Sequence, residues 1–499
     1  MIKNILLLLQ IFFFWSLKCV SQSNIATSSL PVIYSSIGDS ILTSDQILTI
    51  KCIGQKHGYK RDSTYDPDIY SPKSVGFTPD GSKFYINSLE GFKTVVYDTR
   101  SLKKLKTIVH EFESGTGELW LSVSGYYPFI HYPEGGKKKF KGKPVEMVFS
   151  KDGKYLFVPY YRRSFDINAQ DPSALAVIDT SKDSIVLMAE TGPLPKMVSI
   201  SNDGCLLAVT HWGDNTMGFM DISDSNPRNW HYLPPVIIGH KLTLNYSLSK
   251  EVNRDTGSGY SLRGTYFLPG DSILLIGAMG GPTAVINLKK MEWIGMINSL
   301  NQIRHIEGNN DHIFMSRNIS GEIFSVPIDS LTKAITNSCG DKKEIKVEGI
   351  KKVKVGGGAR TLKLTPDGKY ILVACNSGSA LYVIDSYLMK TVGQLPVDSY
   401  PVGLDISPDG KYVVITSQGR SGIGGNAVNI FNIRNQNRNE IEDSTIMIDS
   451  FFKSKKSKNK LFEKRSEEYI IKFLSFQLIL PILLLTAGIL SLKELISIR

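Results

Sequence analysis

From residue 72 to residue 433 the apolar residues fall in short alternating runs, each broken by a tight polar turn and resumed at once. Five copies are clear: 75–81 (VGFTPDG), 147–153 (MVFSKDG), 198–204 (VSISNDG), 362–368 (LKLTPDG) and 404–410 (LDISPDG). Two weaker copies, 265–271 (TYFLPGD) and 306–311 (IEGNND), bring the number to seven. Each copy reads as a hairpin: Asp-Gly supplies the reversal, with glycine free to take positive φ. A loop and a third apolar run follow, as in 94–98 (TVVYD), 175–179 (LAVID), 216–221 (TMGFMD), 284–287 (AVIN), 380–385 (ALYVID) and 428–431 (VNIF). A more variable fourth run, such as 390–395 (KTVGQL), closes the unit. Four antiparallel strands at a period of about forty residues are the pattern of propeller blades. Runs apolar on both faces suit sheets stacked between neighbours. The sequence therefore predicts an all-β, seven-bladed β-propeller of four-stranded antiparallel blades, with helices almost absent except at the two ends.

Ring closure leaves its own mark. The last unit, from Val402, has three strands before the polar segment 434–439, while 46–53 (QILTIKCI) stands unpaired ahead of the first. That early strand is predicted to complete the seventh blade and remove the exposed edge. Residues 367–373 (DGKYILV), followed by 380–385 (ALYVID), resemble the YVTN family of propeller repeats, including YncE-like proteins. The resemblance covers roughly residues 45–435. It implies a propeller of WD40-like units and an exported surface or periplasmic protein. It assigns no activity, since the fold also serves lactonases and redox enzymes.

The ends change the picture. Met1-Ile2-Lys3, the apolar stretch 5–15 and the small residues after it describe a signal peptide over 1–21. Residues 473–492 carry no charge and are long enough to span a bilayer, with Lys472 and Lys493 at the borders. The expected order is signal peptide 1–21, lead-in 22–44, propeller 45–435, polar basic linker 436–472, transmembrane helix 473–492 and short tail 493–499. The expected location is outside the cytoplasm, in a periplasm or at the cell surface, with the membrane as partner through the C-terminal helix. Retention of that helix or its removal as a sorting signal both remain open at this point. The formal charge of +11 invites a nucleic-acid reading, but Lys453, Lys455, Lys456, Lys458, Lys460, Lys464 and Arg465 sit together in the linker. No nucleic-acid partner is expected. Five cysteines show no metal or haem spacing, and Cys205 and Cys375 read as small buried strand residues. No metal and no cofactor are expected.

Candidate chemistry comes from aligning the seven turns. Seven residues before each turn aspartate (six before Pro269 in the fourth copy) stand Lys73, Val145, Lys196, Arg263, Arg304, Arg360 and Val402. The five cations begin innermost strands, so they should converge on one mouth of the central channel. The loops between second and third strands should open there too, bringing Arg162, Arg163, His211, Arg317 and Arg420. His211 and its neighbour Trp212 also suit a structural loop role. The long insertions 111–143 and 235–260 belong on the same face. Two unit charges ~10 Å apart repel by roughly 0.4 kcal/mol in water and about 1.7 kcal/mol at an effective dielectric near 20. Either an anion offsets that cost, or loop carbonyls, channel water and the nearby Glu146, Glu307 and Asp405 do.

The sequence thus favours a non-catalytic binding or surface-interaction module for an anionic small molecule, glycan or protein. No catalytic residue is assigned. A lactonase-like hydrolase using Glu146 and Arg263 on the same face is the alternative, and a purely structural surface protein is a third.

Overall fold

The structure, a computed structural model, describes residues 32–435 apart from 113–115, 122–123, 128–139, 164–165, 167, 244–251, 339–343 and 420–423. The predicted signal peptide, basic linker, transmembrane helix and tail lie outside the described residues, as does Arg420. Among the described residues no helix is long and apolar enough to cross a membrane.

Seven antiparallel sheets form the blades of a β-propeller. Blade 1 runs Pro72–Phe77, Lys83–Ser88, Lys93–Asp98, Lys104–Val109, from the inner strand outwards. Blades 3 to 6 repeat this plan, starting at Pro195–Ile200, Leu262–Phe267, Ile303–Gly308 and Ala359–Leu364. Blade 7 takes Pro401–Ile406, Tyr412–Ser417 and Ala427–Asn435 from the end of the ring and Leu48–His57 from its beginning, as the orphan strand predicts. A short fifth strand, Ser40–Leu42, lies outside it.

The turn chemistry explains why the repeat is legible. In 78–82 (TPDGS) Gly81 has φ +70, and the Asp80 carboxylate accepts the Ser82 N–H at 3.0 Å. The hydroxyl two residues before the aspartate then accepts a backbone N–H from the start of the second strand. Tyr155 donates to Ser150 at 2.9 Å, Tyr370 to Thr365 at 3.0 Å and Tyr412 to Ser407 at 2.9 Å. Each second strand then plunges between neighbouring sheets, so Ile371, Leu372 and Val373 are fully buried. At that burial a Leu→Ala change costs ~2–5 kcal/mol.

One expectation is corrected and two are refined. Helix is not confined to the ends: Ile328–Asn337 forms three turns between the third and fourth strands of blade 5. Its Ile328, Leu331 and Ile335 share a face and are buried in the core between blades 4 and 5. Cys205 is exposed, because it closes the hairpin turn just before Leu206–His211, where its N–H donates to Asp203 at 2.9 Å. Cys375, in contrast, is buried. The insertion after blade 1 contributes two strands. Its Glu111–Phe112 and Phe140–Pro144 pair with each other, and the second extends blade 2 alongside Tyr155–Arg163. The inner position of that blade is therefore split between Phe140–Pro144 and Val148–Phe149.

Candidate functional site

Lys73, Lys196, Arg263, Arg304 and Arg360 are each the second residue of an inner strand. The first residue of each strand is buried, and the alternation of a β-strand turns the second to the opposite side, toward the axis. A register shift falls in this stretch of the six regular inner strands, for example between Pro72 and Val75, Pro195 and Val198, and Ala359 and Leu362. Such bulges bend the strand and re-aim one side chain. Two residues before the cation the backbone enters the left-handed region, at Ser71, Leu194, Ser261, Gln302 and Gly358, and at Tyr400 in blade 7. In five blades the residue opening the loop between second and third strands hydrogen-bonds this same residue. Leu89 N–H donates to Ser71, Trp212 to Leu194, Met279 to Ser261, Asn376 to Gly358 and Gln418 to Tyr400, at 2.9–3.1 Å. The loops are thereby pinned to the face where the inner strands begin. The described end of the insertion 235–260 joins them there, since Tyr260 N–H donates to Asn215 at 3.0 Å.

The five cations act on one another. Burial and then the nearby Arg360, Arg263 and Arg304 hold the Lys73 ammonium well below its ordinary range. Burial, Arg263, Lys73 and Arg304 do the same to Lys196. Arg304 is depressed by burial, Arg360 and Arg263. Burial and Arg360 push Arg263 down to about 9, and burial lowers Arg360. Guanidinium keeps its proton at neutral pH, so these directions express the cost of holding the charge. Among the described residues none of the five forms an ion pair or donates a side-chain hydrogen bond to oxygen. Arg304 reaches only the Met279 sulfur, at 3.9 Å. The Arg263 side chain is 8% exposed and its Nε has no partner.

Rings take the place of acids. The Lys196 Nζ is 3.2 Å from the centroid of Tyr161 and 5.0 Å from that of Trp212, and the Arg263 guanidinium is 4.6 Å from the Trp212 centroid. A cation over a ring face is stabilised without losing its net charge. Glu146 is the carboxylate that acts on Lys73, Arg263, Arg304 and Arg360. Glu307 and Asp405, the other acids expected to neutralise the cluster, are committed elsewhere. Both approach Lys363, at 3.5 and 3.6 Å, one layer further along the inner strands. Glu307, with Asp405, holds the Lys363 ammonium above its ordinary range.

Of the remaining described residues named from the sequence, Arg162 stays beside Lys196 and three others go to structural tasks. Arg162 lies over the Tyr161 ring, 4.9 Å from its centroid, and pairs with Asp255. Arg163 is buried with its guanidinium 4.5 Å from the Phe140 centroid and 5.6 Å from that of Trp120, inside blade 2. His211 is a core residue rather than a ligand contact. Its Nε2 accepts the Gly192 N–H at 3.1 Å, its Nδ1 meets Thr216 at 2.8 Å, and burial lowers its pKa to about 3. Arg317 is likewise structural. It donates to the Asn301 and Ser299 carbonyls at 3.0 and 3.2 Å and to Glu322 at 3.2 Å. Sequence reasoning missed Tyr400 at the mouth and the ring partnership of Tyr161 and Trp212. Tyr400 occupies the register two residues before Val402, so the repeat itself could have located it.

No family model matches the chain, and no characterised protein matches its sequence. Solved structures do match in fold. Hydrazine synthase of Kuenenia stuttgartiensis is 14% identical with a TM-score of 0.50, over 75% of this chain and 98% of that one. The Cps50 (Swd1) β-propeller domain of Myceliophteria thermophila is 12% identical with a TM-score of 0.48, over 72% and 96%. At 14% identity the first of these speaks for the propeller fold alone.

Proposed function

We propose that this chain is a non-catalytic binding module: a propeller of YVTN-like repeats, exported and tethered to a membrane, that holds an anionic ligand at its cationic channel mouth. One observation carries the reading. Five cations from five blades are drawn together around one axis and, among the described residues, none forms an ion pair, although Glu146 acts on four of them. Arginine offers a fork suited to carboxylate or phosphate, and a ligand that binds only the folded state raises its stability. The signal-like segment 1–21 and the apolar segment 473–492 support the exported, tethered arrangement.

The test follows thermal unfolding of the full chain in non-ionic detergent at low salt, against acidic sugars, phosphates and acidic polymers. An anion should raise the midpoint of the parent and leave that of a folded Arg263→Ala/Arg360→Ala variant unchanged. No shift with any anion, in a parent whose stability survives the two substitutions, would sink the reading. Glu146 beside arginines also suits a lactonase-like hydrolase, with the carboxylate as base. Turnover of lactones that vanishes in Glu146→Gln would establish that second reading instead.

A further inference from the structure

We infer that the mouth seats a compact tetrahedral oxyanion bearing two or more charges, the phosphoryl or sulfuryl end of a larger molecule, on the channel axis. This rests on the anion-binding reading and narrows it. Three arginines and Glu146 leave a formal surplus of two positive charges, and the two lysines, whose charged form burial disfavours, raise it to as many as four. A single carboxylate would leave half or more of that surplus in place, whereas a dianion offsets at least half of it.

The direction of approach points the same way. Blades 3, 4, 5 and 6 supply a continuous arc of cations, and blade 1 supplies Lys73 from beyond the gap at Val402. Lys73 feels Arg360, Arg263 and Arg304, so the charges ring the axis rather than line one wall. A carboxylate accepts along two edges in one plane; a tetrahedral group presents oxygens in every direction. The buried Arg263 has its Nε unpartnered, and rings rather than acids hold Lys196, so donor capacity remains for a ligand.

Depth is limited by the next layer. Three residues further along the inner strands stand Glu307, Lys363 and Asp405, with one net negative charge among them. That layer repels an anion, so the charged end stops at the first layer. The remainder of the ligand then extends outward, past Trp212 on its loop and Tyr161 near the end of strand Tyr155–Arg163.

The experiment is calorimetric titration of the full chain in non-ionic detergent at low salt, with acetate, succinate, sulfate and glycerol phosphate. Sulfate or glycerol phosphate should bind at least tenfold more tightly than acetate and succinate, and the tighter of the two names the source. Lys196→Met should weaken that binding at least tenfold while unfolding stays cooperative. Lys390→Met, which removes an exposed charge on the outer strand of blade 6, should leave it unchanged. Equal binding of acetate, succinate and sulfate would overturn the inference while anion binding stands. Absence of binding by all four to a folded parent would overturn both, and equal losses in the two variants would reduce the effect to general surface charge.

Discussion

Asp398 shows, on one side chain, what the mouth shows on five. Its Oδ2 accepts from Asn429 at 2.9 Å, and burial pushes the carboxyl up to about 6 against the opposing pull of Asn429, Ser35 and Tyr59. An unfolded aspartate titrates at ~3.9. The folded protein therefore holds more protons between those values, and the stability this group contributes is lost as pH rises from about 4 through about 6. Asp398→Asn keeps an acceptor for Asn429 and removes the charge. Its midpoint should exceed the parent's by several degrees at pH 8 and match it at pH 4.5, as read by thermal unfolding; an equal difference at both would show that the charge is not the cause. Nothing in the sequence marks Asp398, because its cost comes from a burial set by blade 7. His211 takes the structural role that the sequence also offered it, and the neighbouring insertion seals it by bringing Tyr127 against it, ring centroids 5.3 Å apart.

At the scale of elements, the repeated unit is a hairpin whose entry is strained and whose exit is relaxed. The exit, Pro-Asp-Gly, is visible in the sequence because its chemistry needs particular residues. The entry is hidden, because serine, leucine, glutamine and tyrosine all take its positive φ and only blade 6 uses glycine. At Gly358 the φ is +79, and an added Cβ would lie 1.8 Å from the Asn376 Oδ1 and 2.5 Å from the Ser377 N. Gly358→Ala should cost ~2 kcal/mol or more and weaken anion binding through Arg360, two residues on. Chemical denaturation checks the first part and titration the second; an unchanged midpoint would mean that the entry turn relaxes freely. The helix Ile328–Asn337 carries a helical period in Ile328, Leu331 and Ile335, and it escaped notice because three turns set inside a four-strand repeat were read with the strand template. The cationic register, by contrast, was legible, since five turns count back to the same strand position.

For the whole molecule, seven blades are held as one ring by a strand from the far end of the chain. Ile50 and Cys52 are fully buried in the core they share with Val413, Ile415 and Phe431 of blade 7. Removing residues 1–57 should abolish cooperative unfolding by calorimetry, not merely lower its midpoint, because the third strand of blade 7 would become an open edge. A ring that melts as sharply without that strand would show that closure is dispensable. The closure also sets a schedule for folding. Gln55 donates to the Asn429 side chain at 2.9 Å across 374 residues of sequence. At ~5–20 residues per second, a ribosome needs roughly 20–75 s to cross that interval, and through all of it a ten-residue, half-apolar strand waits without its mate. The molecule spends its first minute as a row of sheets with one sticky end exposed, and that interval is when it most needs a chaperone.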